Sequence, residues 1–310
     1  MTKGNNRSHF TIKGKTIRIN ENKLYLTHQG IRYISDVEEL KEFTFLEGLS
    51  FGQNRISEIE GLEIFSANLK ELHLNENWIS EINGLEPLIN LEELYLEFNT
   101  IAEIRGLDTL IKLRILYLMG NEIAEIERLD RLRNLNELVL NFNQITEIKG
   151  LKKLDKLEYL SLQENHISEI VGLDNLHNLR ELNLSKNSIT NISGLDSLSK
   201  LEKLYLSRNQ LTKISGLDNL TNLKEIYVDY NQITEISGLD NLVNLEHIDL
   251  RYNLLTEIKG LGNLEKLEWL YLSGQENNAP REEVEKLGGL SSVGYALEPE
   301  NFVEYSRNKK

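Results

Sequence analysis

Glutamate recurs once per 22 residues at Glu81, Glu103, Glu125, Glu147 and Glu169, with Glu58, Glu235 and Glu257 in the same row. A line of carboxylates at fixed spacing could hold a line of cations. Like charges on adjacent strands repel, however, and Lys213 and Asn191 interrupt the row while Arg105, Lys149 and Lys259 lie two residues beyond it. The row therefore reads as solvated repeat positions. The histidines, at 9, 28, 73, 166, 177 and 247, show no metal-ligand spacing. Cysteine is absent, which excludes disulfides, thiol catalysis and thiolate zinc sites. Glycines such as Gly84 and Gly106 recur as bends, and no phosphate-cradling G-x-x-x-x-G-K-[ST] occurs. No nucleophile and base are tied to one pocket. The expectation is a protein that is not an enzyme, with no catalytic residue, metal or cofactor.

The residues with the chemistry to bind are aromatic. Eight of the 12 tyrosines, with two phenylalanines and a tryptophan, fall at outward positions of short strand-like segments. The candidate partner-binding residues are Glu71, His73, Glu93, Tyr95, Phe98, Tyr117, Met119, Phe142, Tyr159, Tyr205, Tyr227, Tyr230, Tyr252, Trp269 and Tyr271. Val139 belongs to the same outward set, and Ser161, Gln163, Asn183, Ser185 and Ser188 make its middle small and polar. Aromatic residues on neighbouring strands stabilise a sheet by packing on one another. They also anchor binding when they stand in apolar patches rimmed by charge. The binding reading is favoured at Phe98, Phe142, Tyr230 and Tyr252, because Glu76, Gly120, Lys186 and Arg208 fill the equivalent place elsewhere. A purely structural column would be more uniform.

The element that positions them is Leu91 to Lys112, LEELYLEFNTIAEIRGLDTLIK. Its rule, L-x-x-L-x-L-x-x-N-x-I-x-x-I-x-G-L-x-x-L-x-x, holds through nine consecutive units from Leu69 to Lys266. In Glu93–Glu97 apolar and polar residues alternate as in a half-buried strand. Leu94 and Leu96 point inward, and the third, fifth, seventh and eighth positions point outward. Asn99 follows, and the same place holds Asn77, Asn121, Asn143, Asn165, Asn187, Asn209, Asn231 and Asn253. A short amide bonds backbone groups where a chain turns, so the column predicts a ladder serving neighbouring turns. Ile101, Ile104, Leu107 and Leu110 return to the core. Gly106 suits a tight bend; Arg128 is the exception at that place. One unit cannot bury its own apolar face, whereas stacked units can.

The phrases ISEIEGLE (Ile56–Glu63) and ISGLDNLTNL (Ile214–Leu223) resemble the 22-residue class of the leucine-rich repeat superfamily. That class includes a regulator of protein phosphatase-1 and the internalins. The resemblance spans roughly Leu24 to Ser273. It implies an α/β, right-handed leucine-rich repeat solenoid, a horseshoe whose parallel concave β-sheet faces short 3₁₀ or irregular convex segments. Family function implies binding of another protein on the concave face. Phosphatase regulators hold an enzyme with acidic and aromatic residues there. Glu71, Glu93, Tyr95, Phe98, Tyr117, Phe142, Tyr227, Tyr230 and Trp269 occupy repeat positions of that kind.

The domain reading is a polar tail and β-hairpin cap at 1–23, a solenoid of about eleven to twelve turns at 24–274, and a helical cap at 275–310. In the first turn Gln29 stands where later turns have Asn, and in the last turn Gln275 does. Ala279–Val284 reads as a helix start, Gly288–Gly289 as its end, and Pro299–Lys310 as a second helix. The formal charge of −14 and pI near 5.1 oppose nucleic acid and anionic membranes and favour a partner protein with a basic surface. The N-terminus has no apolar run behind its basic residues, so no export signal is read and a cytoplasmic place, as a monomer when free, is expected. The alternatives are an internalin-like surface adhesin and the substrate-recognition arm of a larger enzyme assembly.

Overall fold

The structure, a computed structural model, describes residues 8–275 and 281–309. Most of the expected polar tail, and Ala279–Pro280 of the expected helix start, lie outside the described residues. The chain divides into two compact units, the first ending at Asn143 and the second beginning at Gln144.

The first unit opens with an antiparallel hairpin of β1 (His9–Ile12) and β2 (Lys15–Arg18). Its turn residues Lys13 and Gly14 both have positive φ, 50° and 75°, the geometry that matches the twist of a two-residue hairpin. Six short parallel strands follow: β3 (Lys23–Tyr25), β4 (Gly48–Ser50), β5 (Glu71–His73), β6 (Glu93–Tyr95), β7 (Ile115–Tyr117) and β8 (Glu137–Val139). Register is set by the repeat, since Leu72 pairs Leu94, Leu94 pairs Leu116, and Leu116 pairs Leu138. Leu94, Leu96, Ile101, Ile104 and Leu110 of one turn are fully buried. Each such side chain contributes on the order of 2 kcal/mol, and neighbouring turns supply the walls.

The second unit repeats the plan. Its parallel strands are β9 (Tyr159–Ser161), β10 (Glu181–Asn183), β11 (Lys203–Tyr205), β12 (Glu225–Tyr227), β13 (His247–Asp249) and β14 (Trp269–Tyr271). Two helices follow, α1 (Arg281–Lys286) and α2 (Pro299–Asn308). In both units the return segments are tight turns rather than α-helices. Leu110 N–H donates to the Leu107 carbonyl at 3.0 Å, and Leu113 N–H to Leu110 at 2.9 Å. Short 3₁₀ pieces occur at Ile34–Asp36, Glu38–Glu42 and Glu63–Phe65.

The asparagine column is a hydrogen-bond ladder. Asn121 Nδ2 donates to the carbonyls of Leu96 in the preceding turn and Leu118 in its own, both at 3.0 Å. Its Oδ1 accepts from the Ile101 N–H at 3.0 Å. These backbone groups are buried and have no strand partner, so the amide replaces the water they lose. Gln275 makes the same three bonds at the far end, to Leu250, Leu272 and Leu255. Gln29 does not: its side chain turns back to the Thr27 carbonyl at 2.7 Å, because no earlier repeat turn offers a carbonyl, and Asn54 serves its backbone instead. A second ladder, on the outer side, has no counterpart in the sequence reading. Asn134, Asn178, Asn222 and Asn244 each donate to a carbonyl one turn earlier, at 2.7–2.8 Å. Lys112, Lys200 and Lys266 fill the same place and cap such an asparagine at 2.6–2.7 Å.

Gly106 has φ of 72°, and a methyl group there would collide with the Ile82 carbonyl of the previous turn. At Gly61 the nearest atom to such a methyl is 3.5 Å away. Gly61→Ala therefore meets only left-handed strain of about 1 kcal/mol, whereas Gly106→Ala is expected to cost at least ~3 kcal/mol because the backbone must also shift. Asn121→Ala should cost about 3 kcal/mol, because it orphans the buried Ile101 N–H and leaves the Leu96 and Leu118 carbonyls one amide each, and Gln29→Ala under about 0.5 kcal/mol. Denaturant unfolding of the four variants checks the ranking; equal losses at Asn121 and Gln29 would remove the ladder's special role.

Candidate functional site

In the first unit the strand face begins with an ion pair between Lys23 of β3 and Glu71 of β5. The His73 ring nitrogen Nε2 lies 2.7 Å from the other Glu71 oxygen. Burial pushes the Glu71 carboxyl up, but the bonds from Lys23 and His73 outweigh it and hold the group below its ordinary value. The His73 ring stacks on Tyr95 at 4.2 Å, and Tyr95 meets Tyr117 edge-on at 5.2 Å. The Tyr95 hydroxyl donates to Glu93 Oε2 at 2.9 Å, and the Tyr117 hydroxyl to Glu137 Oε2 at 3.0 Å. Burial first, and then the Glu93 carboxylate, raise the Tyr95 phenol far above its usual range. It stays a donor at any physiological pH. Met119 is half-buried beside this row, whereas Val139, expected on the face, is 6% exposed and belongs to the core.

Glu97 sits at the seventh position with Oε2 closed to solvent and no hydrogen-bond partner. Burial, aided by Glu76, raises its carboxyl above the ordinary value. Next to it, Phe98 is 51% exposed, and its ring lies across Gly120 one turn on. Phe142, two turns beyond Phe98, is 42% exposed. Trp78, at the tenth position on the rim, is 58% exposed; the outward-strand rule does not reach that position.

In the second unit Tyr159 is half-buried on β9. Tyr205 stacks on Tyr227 at 4.7 Å, Tyr227 lies 4.6 Å from His247, and His247 lies 5.2 Å from Tyr271. Burial pushes the Tyr205 phenol up to about 12. Lys203 pairs with Glu225 at 2.9 Å, and the Tyr227 hydroxyl donates to the same carboxylate at 2.8 Å. Arg251 clamps the buried Asp249 through Nε at 3.0 Å and Nη2 at 2.5 Å, and covers the Tyr271 ring at 4.8 Å. His247 Nε2 is buried without a partner, and burial lowers its basicity against the pull of Asp249 and Glu225. Trp269, 43% exposed, meets Tyr295 edge-on at 5.3 Å. Tyr295 lies outside the repeat, so the motif gave no sign of it. At the eighth position a separate stack runs from Arg208 over Tyr230 at 4.1 Å to Tyr252 at 4.2 Å, ending against Gly274.

The two outward columns thus differ. Fifth-position aromatics are half-buried and pack on neighbouring rings. The eighth position is left-handed in every regular turn, with φ between 52° and 58° for its non-glycine residues. A bulky residue gains nothing from that conformation, which costs roughly 1 kcal/mol. Yet Phe98, Phe142, Tyr230 and Tyr252 stand there, 39–51% exposed. In the outer glutamate row Arg105 pairs Glu81 at 2.7 Å and Lys259 pairs Glu257 at 2.7 Å. Among the described residues no cluster of three or more histidine, aspartate or glutamate side chains could hold a metal, and no helix is long and apolar enough to cross a membrane.

A family model described as leucine-rich repeats in two copies matches residues 67–109, 111–153, 155–197 and 199–241. A second leucine-rich repeat model matches 221–278. Comparison with curated proteins found no match. Among solved structures, the internalin InlF of Listeria monocytogenes is 28% identical, with a TM-score of 0.65 over 85% of this chain and 84% of its own. The functional domain of Listeria monocytogenes InlJ, 24% identical with a TM-score of 0.68, shares the fold over 82% of this chain, which spans 53% of that one. A leucine-rich repeat protein of Leptospira interrogans, 21% identical with a TM-score of 0.54, shares it over 84% of this chain and 85% of its own.

Tyr227→Ser should lose about 2–3 kcal/mol, because it removes half-buried stacking on two rings. Tyr252→Ser should lose under about 1 kcal/mol. Glu97→Gln should gain about 1 kcal/mol at neutral pH, since the amide carries no buried charge. A raised carboxyl destabilises the fold above its folded value, and the penalty fades as pH falls toward the ordinary 4.5. The Glu97→Gln advantage should therefore shrink on acidification, and urea unfolding across that range checks it.

Proposed function

Because the chain belongs to the leucine-rich repeat proteins, we propose that it is a non-catalytic protein-interaction scaffold that holds a partner protein against its strand face. The observation that carries this reading is the eighth position. There, aromatic side chains accept a left-handed backbone and remain exposed, at Phe98 and Phe142 in the first unit and Tyr230 and Tyr252 in the second. The left-handed backbone recurs at this position whatever the residue, so the exposed rings themselves support the reading, as apolar surface that the fold leaves open to a partner. The half-buried aromatics beside them, Tyr95, Tyr117, Tyr205, Tyr227 and Tyr271, hold the platform. A platform fixed by packing loses little entropy on binding, which favours affinity.

The narrower reading is a cytoplasmic partner that is itself an enzyme, a phosphatase or a small GTPase-system protein that the scaffold regulates or localises. It rests on the resemblance to the phosphatase-regulator class, whose acidic and aromatic kind of position recurs on this face. A second reading, a surface recognition protein of the internalin kind, is favoured by the 28% identity with InlF across most of both chains.

Affinity capture from the source lysate, with the wild-type chain beside a Phe98→Ser, Tyr230→Ser variant, tests the scaffold reading. The expected result is a protein retained by the wild type and lost by the variant, while circular dichroism finds both folded and within a few degrees of each other in Tm. Equal profiles would overturn the role of the eighth position. Capture of a cytoplasmic enzyme favours the narrower reading; retention of an extracellular or host-surface protein favours the second.

A further inference from the structure

We propose that the strand face of the first unit, from β5 to β8, binds a basic segment of a partner protein in which lysine or arginine recurs every third residue around apolar side chains. The proposal rests on the scaffold reading and names the partner's chemistry at one of its faces.

The outward positions of β5 to β8 and the residues just after them carry Glu71, Glu76, Glu93, Glu97 and Glu137, and no lysine or arginine. Lys23 of β3 is engaged with Glu71. Among the described residues, no lysine or arginine forms an ion pair with Glu76, Glu93, Glu97 or Glu137. The second unit's face also leaves Glu181 and Asp229 without an ion pair among the described residues, but it carries Lys186, Lys203, Arg208 and Arg251, whereas that of β5 to β8 carries no lysine or arginine. The outer glutamates at 81 and 103 share Arg105. On the face of the second unit, Lys186, Lys203 and Arg251 each neutralise a carboxylate, at 2.5–2.9 Å. A protein that can pair its glutamates elsewhere leaves these four without a cation.

Geometry makes the deficit specific. Glu93 and Glu137 each accept a tyrosine hydroxyl on Oε2, which fixes the carboxylate and leaves Oε1 for another donor. Glu97 has one oxygen closed to solvent and without a donor, a state that costs stability in the free protein, and its poorly screened charge adds to the field that an approaching cation meets. Phe98 and Phe142 follow Glu93 and Glu137 by five residues, so an acid and an exposed aromatic recur together two strands apart. Two strand spacings are roughly 10 Å. A polyproline-II segment advances about 9 Å in three residues and returns every third side chain to the same side. A segment crossing the strands can thus place one cation near Glu93 and the next near Glu137, with apolar side chains against Phe98 and Phe142. Arginine suits such fixed carboxylates through its two-pronged geometry.

The test pans a displayed library of random short peptides against the full chain and resynthesises the enriched sequences for titration. The expected enrichment is [KR]-x-x-[KR] with leucine or phenylalanine between the bases. Affinity should fall about tenfold or more in a Glu93→Gln, Glu97→Gln, Glu137→Gln variant and weaken with added salt. Glu97→Gln alone should weaken binding while raising the thermal midpoint, a pairing that damage to the fold would not produce. Enriched peptides without basic residues, or affinity unchanged in the triple variant, would overturn this inference. If those peptides still depended on Phe98, the scaffold reading would stand; if nothing enriched, or binding ignored both sets of variants, both would fall.

Discussion

The structure depends on one interaction, the asparagine amide that joins each turn to the one before it. Asn121 serves three buried backbone groups with no strand partner, the Leu96 and Leu118 carbonyls and the Ile101 N–H, and each carbonyl is shared with the asparagine of an adjacent turn, Asn99 or Asn143. To bring that amide inward, the chain must turn sharply at the residue before it. The left-handed φ at every eighth position is the result. The ladder therefore decides which side chains leave the surface. The eighth residue swings out beyond the sheet, while the fifth, inside the strand, lies against its neighbours one turn away.

That separation gives the outward aromatics two roles. Tyr205, Tyr227 and Tyr271, with His247 among them, exchange ring contacts, and Tyr227 also holds the Glu225 carboxylate, so packing accounts for their half-burial. Phe98, Phe142, Tyr230 and Tyr252 occupy a conformation that asparagine or glycine would hold at lower cost. Glu97 belongs with them, because a carboxyl oxygen without water or donor also lowers the stability of the free fold. Exposed rings and the unpartnered carboxyl oxygen gather on the strand face and its rim. The core positions from Leu94 to Leu110 show none.

Much of this was legible in the residues. The period of Leu94, Leu96, Ile101 and Ile104 fixed core, register and strand, and the column of asparagines announced its ladder before any bond was visible. The misses have physical causes. Val139 sits at an outward position but is small enough to be covered, so alternation placed it on the face and packing placed it in the core. Gln29 occupies the asparagine place in a turn with no predecessor, and sequence position does not reveal a missing partner. The outer ladder went unseen although asparagine and lysine alternate there from Asn90 to Asn222, because the apolar repeat leaves that position unspecified and only the structure shows both residue types bonding the same edge. Trp78 and Tyr295 lie off the outward-strand positions, where periodicity has no voice. The split of aromatics into scaffold and presented sets was half legible: the variability of the eighth position was visible, but its left-handed backbone was not.

The most direct measurement is amide hydrogen exchange of the full chain, alone and saturated with its captured partner. The account predicts new protection at the strand face, in and just after β5 to β8 and at Tyr230 and Tyr252, with exchange in the outer turns such as Leu85–Leu91 unchanged. Protection confined to the outer turns, or to α1 and α2, would place the partner elsewhere and contradict it.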